Sequence, residues 1–131
     1  MTDTYAIVIH PDCRIDLVKT CGGYREYQRL VGGHFENTPM KNICVSDLIM
    51  TVDEEGKLKG KPINPVATFL QGAYGDFIVG DAVILKLVRV GELKELDQVP
   101  FDRDEAHLLL RWFELIRDKY VDLARDALET I

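Results

Sequence analysis

The stretch DFIVGDAVILKLV, residues 76–88, decides the fold, because it is nearly continuous in β-branched and aliphatic side chains. A run of this length and composition is typical of a strand that is buried on both faces. Gly80 interrupts the run, and a glycine inside a strand pattern predicts a bulge or a bend. We therefore expect a central strand here, with the other elements arranged around it.

The segments at the N-terminus predict a hairpin followed by a short helix. YAIVIHP (5–11) and RIDLV (14–18) have strand composition, and proline and aspartate between them favour a turn. GGYREYQRLVGG (22–33) places its apolar side chains on one helical face and ends in a glycine pair. Gly32 is the expected C-cap of this helix.

Two further strands and one ambiguous segment precede the central strand. HFENTP (34–39) predicts a brief strand, and ICVSDLIMTV (43–52) predicts a longer one. NPVATFLQGAYG (64–75) is compatible with a helical turn or with an irregular loop. The sequence leaves that choice open.

PFDRDEAHLLLRW, residues 100–112, opens the longest element. Asp102 takes the N-cap position and Glu105 follows three residues later, which is the spacing of a capping box. A helix is predicted from Arg103 to Leu128. The elements together predict an α+β fold, with a mainly antiparallel β-sheet, one short helix and a long C-terminal α-helix.

The chain has 131 residues, of which 47% are apolar, and this size suits one domain with one core. Within it, residues 1–90 are expected to form the sheet-rich core with the short helix, and residues 101–129 the long helix. The net charge of −6 opposes non-specific binding to nucleic acid. We expect a cytoplasmic protein without a membrane-spanning segment, because no apolar run approaches the ~18 residues that such a segment needs.

Apolar side chains recur along the predicted long helix at spacings of three and four residues, and others lie to one side of this stripe. The apolar arc is wider than one contact with a sheet needs, which predicts a homo-oligomer. The residues expected at its interface are Leu109, Trp112, Phe113, Ile116 and Tyr120. The alternative is a monomer in which the segment LKELDQVPF (93–101) covers the second face.

The charged stretch VDEEGKLKGKPINP, residues 52–65, has to be tested as a phosphate-binding loop. Such a loop requires a glycine where Glu55 stands and a hydroxyl side chain where Pro62 stands. The stretch is therefore interpreted as a turn, in which Gly56 takes a positive φ and the lysines that follow lie in an exposed edge segment.

The sequence contains no recognisable catalytic or metal-binding pattern. His10, Cys13, Cys21, His34 and Cys44 have ligand chemistry but irregular spacing, and their expected role is structural. Neither the single serine nor any cysteine lies in a nucleophile motif. We expect no catalytic residue, no metal and no cofactor.

A few side chains are suited to binding a small anionic ligand, such as a cyclic nucleotide. Arginine binds anions through paired N–H groups, and aromatic rings stack on bases. The amide of Asn64 precedes a proline, which fixes its position, although local capping of the backbone is the more common role. The tentative ligand-binding residues are Arg25, Asn64, Phe77, Arg103 and Arg111, with Arg29 as a further arginine and Tyr24, Phe69 and Tyr74 as further candidates for stacking.

Three segments, YREYQRLVGGHFE (24–36), TVDEEGKLKGKPIN (51–64) and GDFIVGDAVIL (75–85), resemble in this order a family of small domains of unknown function from phages, prophages and plasmids. That pattern has V-G-G before an aromatic residue and Glu, then E-E-G-K-L-x-G-x-x-x-N, then I-x-G. This chain departs from it at Asp53, where asparagine is usual, and at Pro65, where arginine is frequent.

The resemblance implies an accessory protein of a mobile element, and such proteins include the Thoeris anti-defence proteins, which sequester cyclic nucleotide signals. The expected function is therefore a non-enzymatic counter-defence protein that binds a nucleotide-like immune signal. The alternative is an inhibitor that binds a host defence enzyme through its acidic surface or its apolar helix.

Overall fold

The computed structural model describes residues 3–43, 45–72 and 76–129, with the side chains of 124, 125 and 127–129 excluded. The described residues form a seven-stranded, antiparallel sheet and three helices. In chain order they are β1 (Thr4–Ile9), β2 (Ile15–Lys19), α1 (Tyr24–Val31), β3 (Phe35–Thr38), β4 (Leu48–Asp53), α2 (Pro65–Gln71), β5 (Ala82–Val90), β6 (Glu95–Val99), β7 (Phe101–Asp102) and α3 (Arg103–Glu129). The predicted α+β class with a long C-terminal helix is confirmed.

β5 lies at the centre of the sheet, in the order β2-β1-β5-β4-β3, and β6 also pairs with it. Ile84 of β5 is opposite Ile7 of β1 on one side and Met50 of β4 on the other. All three side chains are fully buried. This row of large aliphatic residues explains why the stretch around β5 has so few polar positions.

The helices cover opposite faces of the sheet. α1 packs Tyr27 and Val31 on one face, against Val83 and Leu85 of β5. α2 and α3 cover the other face and complete the larger core, which includes Phe113 of α3. Adjacent residues of a strand point to opposite faces, so β5 contributes alternate side chains to the cores on both faces of the sheet.

The strand boundaries differ from the predicted ones at two places. The strand predicted at 43–52 begins at Leu48 and ends at Asp53. The central strand begins at Ala82 rather than at 76, and Gly80, at φ 73°, lies in a bend before it. In this bend Val79 forms an isolated antiparallel bridge with Ile63.

The structure also contains elements that the sequence left undecided or missed. The ambiguous segment after Asn64 is helix α2, which adds a second short helix. The segment 93–101 contains β6, which pairs with β5 rather than covering α3. None of the described helices is both long enough and apolar enough to cross a bilayer.

Candidate functional site

Helix α1 forms one wall of a large cleft and has an unusual N-terminus. Gly22 and Gly23 precede it with φ of 82° and 98°, and no side chain among the described residues caps its first amides. At the other end Gly32 adopts the left-handed conformation at φ 86°, and its amide donates to the carbonyl of Gln28, as predicted. The N-terminal N–H groups of α1 therefore lack a side-chain cap.

The cleft has a volume of 530 Å³ and lies between α1 and the β5–β6 hairpin; we call it the aromatic cleft. Three aromatic side chains wall it: Tyr24, Tyr27 and Phe35. The ring centroids of Tyr24 and Phe35 are 5.0 Å apart, and Tyr27 meets Phe35 edge-on at 6.0 Å. Tyr24 is 60% exposed, so a ligand can reach one face of its ring.

Polar groups in the aromatic cleft are few and separately placed. Asn37 accepts a hydrogen bond from Thr51 Oγ1 at 2.8 Å through its Oδ1. Gln98 Oε1 is buried and has no hydrogen-bond partner among the described residues. Burial raises the pKa of Tyr27, whose hydroxyl donates to the backbone carbonyl of Gln98 at 3.2 Å. Asp97 supplies a carboxylate at the rim, while the side chains that line the cleft include no lysine or arginine.

The charged loop after β4 is exposed over residues 57–60, as predicted, but it forms turns rather than an edge segment of the sheet, and two of its lysines pair with Asp53. Lys59 and Lys61 place their Nζ atoms 2.8 Å and 2.7 Å from Asp53 Oδ2. The same ammonium groups donate to the carbonyls of Gly32 and Val31 at the end of α1. These contacts join the loop, the end of β4 and the end of α1.

The environment of Asp53 keeps its carboxyl ionised. Burial alone raises its pKa, but hydrogen bonds from Lys59 and Lys61 and from the Glu55 amide outweigh this effect and lower the pKa to about 2. The left-handed glycine of the loop is Gly60, at φ 70°, rather than Gly56. A Cβ atom at Gly56 would lie 2.7 Å from Val79 Cγ2, so this position needs glycine for space.

A second, smaller cleft of 160 Å³ lies on the α2 side of the sheet; we call it the motif cleft, because the three segments that carry the family resemblance meet in it. Glu36 comes from the first segment, Glu54 and Lys57 from the second, and Phe77 from the third. Phe77, one of the five tentative ligand-binding residues, therefore lines this cleft, while the stacking candidate Tyr24 lines the other one. The ring of Phe77 lies under Lys57, whose Nζ is 4.6 Å from the centroid.

Acceptor groups dominate the motif cleft. Lys57 Nζ donates to Asp76 Oδ1 at 2.5 Å, and this hydrogen bond is the main cause of the lowered pKa of Asp76. Gln71 is only 8% exposed, and its Nε2 donates to Thr38 Oγ1 at 3.2 Å. Its Oε1 is buried without a hydrogen-bond partner in the described part of the chain.

Asn64 does not present its amide to a ligand, because the side chain is fully buried and its hydrogen bonds are made inside the protein. Its Nδ2 donates to the carbonyls of Ile9 and Gly80, each at 2.8 Å. Its Oδ1 caps α2 by accepting the amide of Ala67 at 3.1 Å. Local capping, the alternative interpretation, is what the structure shows.

The predicted arginines do not converge on one site. Arg25 is exposed on α1, next to Tyr24 of the aromatic cleft. Arg103 and Arg111 are exposed on α3, on the other side of the sheet. Tyr74 lies outside the described residues.

The candidate metal ligands also have separate environments. His10 bridges Asp81 and Asp16 through its two ring nitrogens, at 2.8 Å and 2.9 Å. His34 is hydrogen-bonded to Gln28, while Cys21 lines the aromatic cleft. Within residues 3–43, 45–72 and 76–129, no group of three or more His, Cys, Asp or Glu side chains is placed to hold a metal ion. Cys44 lies outside the described residues.

The stripe predicted as an oligomer interface packs mainly inside the chain. Phe113 is fully buried in the larger core, which corrects its assignment to an interface. The other four predicted residues are partly buried against this core: Leu109, Trp112, Ile116 and Tyr120. Among the described side chains of α3, the exposed large apolar ones are instead Leu108, Leu115 and Leu123.

The sequence of the chain matches the profile of one known protein family. The profile of DUF3846, a domain of unknown function, matches residues 1–101. The chain belongs to the DUF3846 family. The match includes all strands up to β6, both short helices and both clefts, whereas α3 follows it. No curated protein matches the chain, and no solved structure does.

Proposed function

We propose that this DUF3846 protein is a non-enzymatic binding protein that sequesters a small nucleotide-like molecule in the aromatic cleft. The observation that carries the proposal is the wall of three aromatic side chains beside the uncapped N-terminus of α1. A volume of 530 Å³ lies within the ~300–1,000 Å³ range of small-molecule sites. The cleft therefore has the size and the lining that such a ligand requires.

Each part of a nucleotide has a suitable partner at this cleft. The exposed face of Tyr24 and the adjoining Phe35 ring suit a stacked base, and the unpartnered Gln98 Oε1 suits an exocyclic amino group. The free amides at the start of α1 suit a phosphate oxygen, with Arg25 nearby. The carboxylate of Asp97 can accept a hydrogen bond from a ribose hydroxyl. Because it is negatively charged, it repels a phosphate from the part of the cleft near Asp97.

The biological role that we propose is counter-defence by a mobile genetic element. Support for this role comes from the resemblance of the three sequence segments, and from the fit of a sequestering protein to a cleft that needs no catalytic group. Sequestration differs from catalysis in one measurable way, because the ligand is released unchanged.

Calorimetry with a panel of cyclic mononucleotides and dinucleotides tests the binding. We expect saturable binding that Tyr24→Ala weakens about tenfold or more, since stacking of a base on an aromatic ring contributes ~1–3 kcal/mol. Phe77→Ala is the matched control, because it removes an exposed ring from the other cleft. Failure of every nucleotide to bind, or release of a chemically altered ligand after heating, would contradict the proposal.

We propose further that a second copy of the chain covers the exposed leucines of α3. Leu108 and Leu115 are seven residues apart and Leu123 follows after eight, a spacing that suits pairing with another helix. Leu115 and Leu123 line an apolar groove together with Ile43 and Phe69, whereas Leu108 lines a separate cleft beside Lys86. Both acidic and basic side chains border this face, which allows two identical faces to complement each other; they are Arg111, Glu114, Asp118, Lys119 and Asp122.

Light scattering after size exclusion tests this assembly. The wild type should have the mass of a dimer, and Leu115→Glu should convert it to a monomer, because a charge at the contact has no partner. Leu58→Glu is the control, since Leu58 is exposed in the loop after β4 and should leave the dimer intact. A wild-type mass of one chain would contradict the dimer and would leave these leucines available for the alternative function, inhibition of a host protein.

A further inference from the structure

We propose that the motif cleft is a second binding site, specific for the ammonium or guanidinium group of a small organic cation. The site is separate from the aromatic cleft, because the side chains of the adjacent residues Glu36 and Asn37 of edge strand β3 lie on opposite faces of the sheet. Glu36 lines the motif cleft and Asn37 the aromatic cleft. The two ligands can therefore bind independently.

Gln71 indicates that a hydrogen-bond donor is missing from this cleft. The residue is more than nine-tenths buried, it lines the cleft, and its Nε2 is already used by Thr38. Its Oε1 has no partner among the described residues. A buried acceptor that is left unpaired destabilises the protein, and a donor from a ligand removes this cost.

The charge of the cleft selects a cation. Four carboxylates line it, those of Glu36, Asp53, Glu54 and Asp76. Lys59 and Lys61 both pair with Asp53, and together with Lys57 they leave this group of side chains with a net charge of −1. Among the described side chains that line the cleft, Lys57 is the single basic one. An anionic group would meet an excess of negative charge here, so the anionic ligand expected near Phe77 does not suit this site.

Lys57 already shows how a cation is held at this place. Its ammonium group lies against Asp76 and over the ring of Phe77, which combines an ion pair with a cation–π contact. Its side chain is about half exposed, so it can move into solvent when a ligand arrives. The cation of the ligand then takes the place of this ammonium group against Asp76 and Phe77, and another N–H group of the ligand donates to Gln71 Oε1.

The size of the cleft limits the ligand. A volume of 160 Å³ is below the ~300 Å³ of a typical small-molecule site, so the cleft holds one cationic head group with a short alkyl arm. Since the described carboxylates are not grouped for a metal ion, an organic cation is the suitable occupant. Agmatine and putrescine, which carry a guanidinium and an ammonium group on four-carbon chains, are the probes.

Calorimetry of the full chain with agmatine and putrescine tests the site. Gln71→Met should weaken binding about tenfold, because it removes the buried acceptor and keeps the length of the side chain. Gln98→Met is the matched control, since it removes the unpartnered Oε1 of the aromatic cleft and should leave cation binding unchanged. Thermal unfolding of both variants checks that they fold.

Lys57→Ala separates ligand binding from a structural role. Removal of a competing internal cation should tighten agmatine binding, whereas a residue that only supported the cleft would weaken it on truncation. Tyr24→Ala should have no effect on agmatine, which keeps this test distinct from that of nucleotide binding. The inference is overturned if neither amine binds saturably, if Gln71→Met and Gln98→Met have equal effects, or if Lys57→Ala weakens binding.

Discussion

Asn64 joins three separate parts of the chain through one amide group. It ties the end of β1, the bend at Gly80 and the start of α2 by hydrogen bonds to Ile9, Gly80 and Ala67. All of these groups are buried, so they have no water to replace a lost partner. The residue is a structural junction rather than a ligand contact.

We predict that Asn64→Ala destabilises the protein by at least about 2 kcal/mol, because it leaves buried carbonyl groups unpaired. Asn64→Asp should cost more, since a carboxylate oxygen would face the carbonyls of Ile9 and Gly80. Asn42→Asp is the control, because Asn42 is exposed and donates to one carbonyl, that of Phe69. Urea unfolding measures all three, and equal costs at positions 42 and 64 would contradict the prediction.

The ion pairs of Asp53 predict how the stability of the protein changes in acid. The pKa of Asp53 is lowered from 3.8 to about 2 in the folded protein, so its ionised form stabilises the fold above the unfolded pKa. This contribution, about 2 kcal/mol, should be lost as the pH falls from about 4 to about 2. Asp53→Asn should therefore be less stable than the wild type at neutral pH, and the difference should narrow over this range.

Chemical unfolding at a series of pH values checks this dependence. Glu55→Gln is the control for the loss of one negative charge, because Glu55 is exposed in the same loop. The unfolding free energy of Glu55→Gln should change with pH in the same way as that of the wild type between pH ~4 and ~2. A constant difference between Asp53→Asn and the wild type down to pH ~2 would show that the ion pairs contribute nothing.

At the scale of elements, the loop between β4 and α2 depends on one close approach. Gly56→Ala should destabilise the fold by about 1–3 kcal/mol, because the new methyl group overlaps Val79 Cγ2. Val79→Ala removes that atom, so Gly56→Ala should cost less in this background. Gly60→Ala is the control, because nothing lies within 4 Å of the added atom. It should lower the free energy of unfolding, measured in urea, by the same amount in the wild type and in Val79→Ala. Additive costs for Gly56→Ala and Val79→Ala would refute the contact.

Elements with local signals were predictable from the sequence. The hairpin of β1 and β2, the end of α1 at Gly32, and α3 each follow from periodicity and end signals. The capping box at Asp102 and Glu105 is confirmed, with the Glu105 amide 2.8 Å from Asp102 Oδ1. For α2 the sequence does contain a start signal, because Asn64 is a typical N-cap residue and Pro65 is typical of a first helical turn. The segment is too short, however, to show helical periodicity.

The sites were less predictable because they combine distant segments. β6 is exposed along most of its length and lacks the alternation that marks a half-buried strand. The aromatic cleft needs this strand together with α1 and β3, and no spacing in the sequence connects Gln98 to Tyr24. The ion pairs of Asp53 likewise depend on a chain reversal that places Lys59 and Lys61 at the end of α1.

At the scale of the molecule, α3 lies outside the matched family domain but packs on its sheet. The DUF3846 match ends at residue 101, and α3 begins at Arg103. Nevertheless α3 buries Ala106 and Phe113 in the larger core and covers β1 and β2. Lys86 of β5 also binds Glu105 of α3 through both carboxylate oxygens, at 2.9 Å and 3.0 Å. The helix is therefore an integral part of this fold.

We predict that a fragment of residues 1–102 does not keep the native structure, although it contains the whole matched region. Without α3 the face that carries Ile7, Ile9 and Phe101 would be open to water, and an apolar face of this kind leads to aggregation. A fragment of residues 1–123 is the control, because it retains the described contacts of α3 with the core. Amide dispersion in NMR spectra and light scattering compare the two. If the 1–102 fragment stayed monomeric and unfolded cooperatively at the same temperature as the control, α3 would be an appendage to an independent domain.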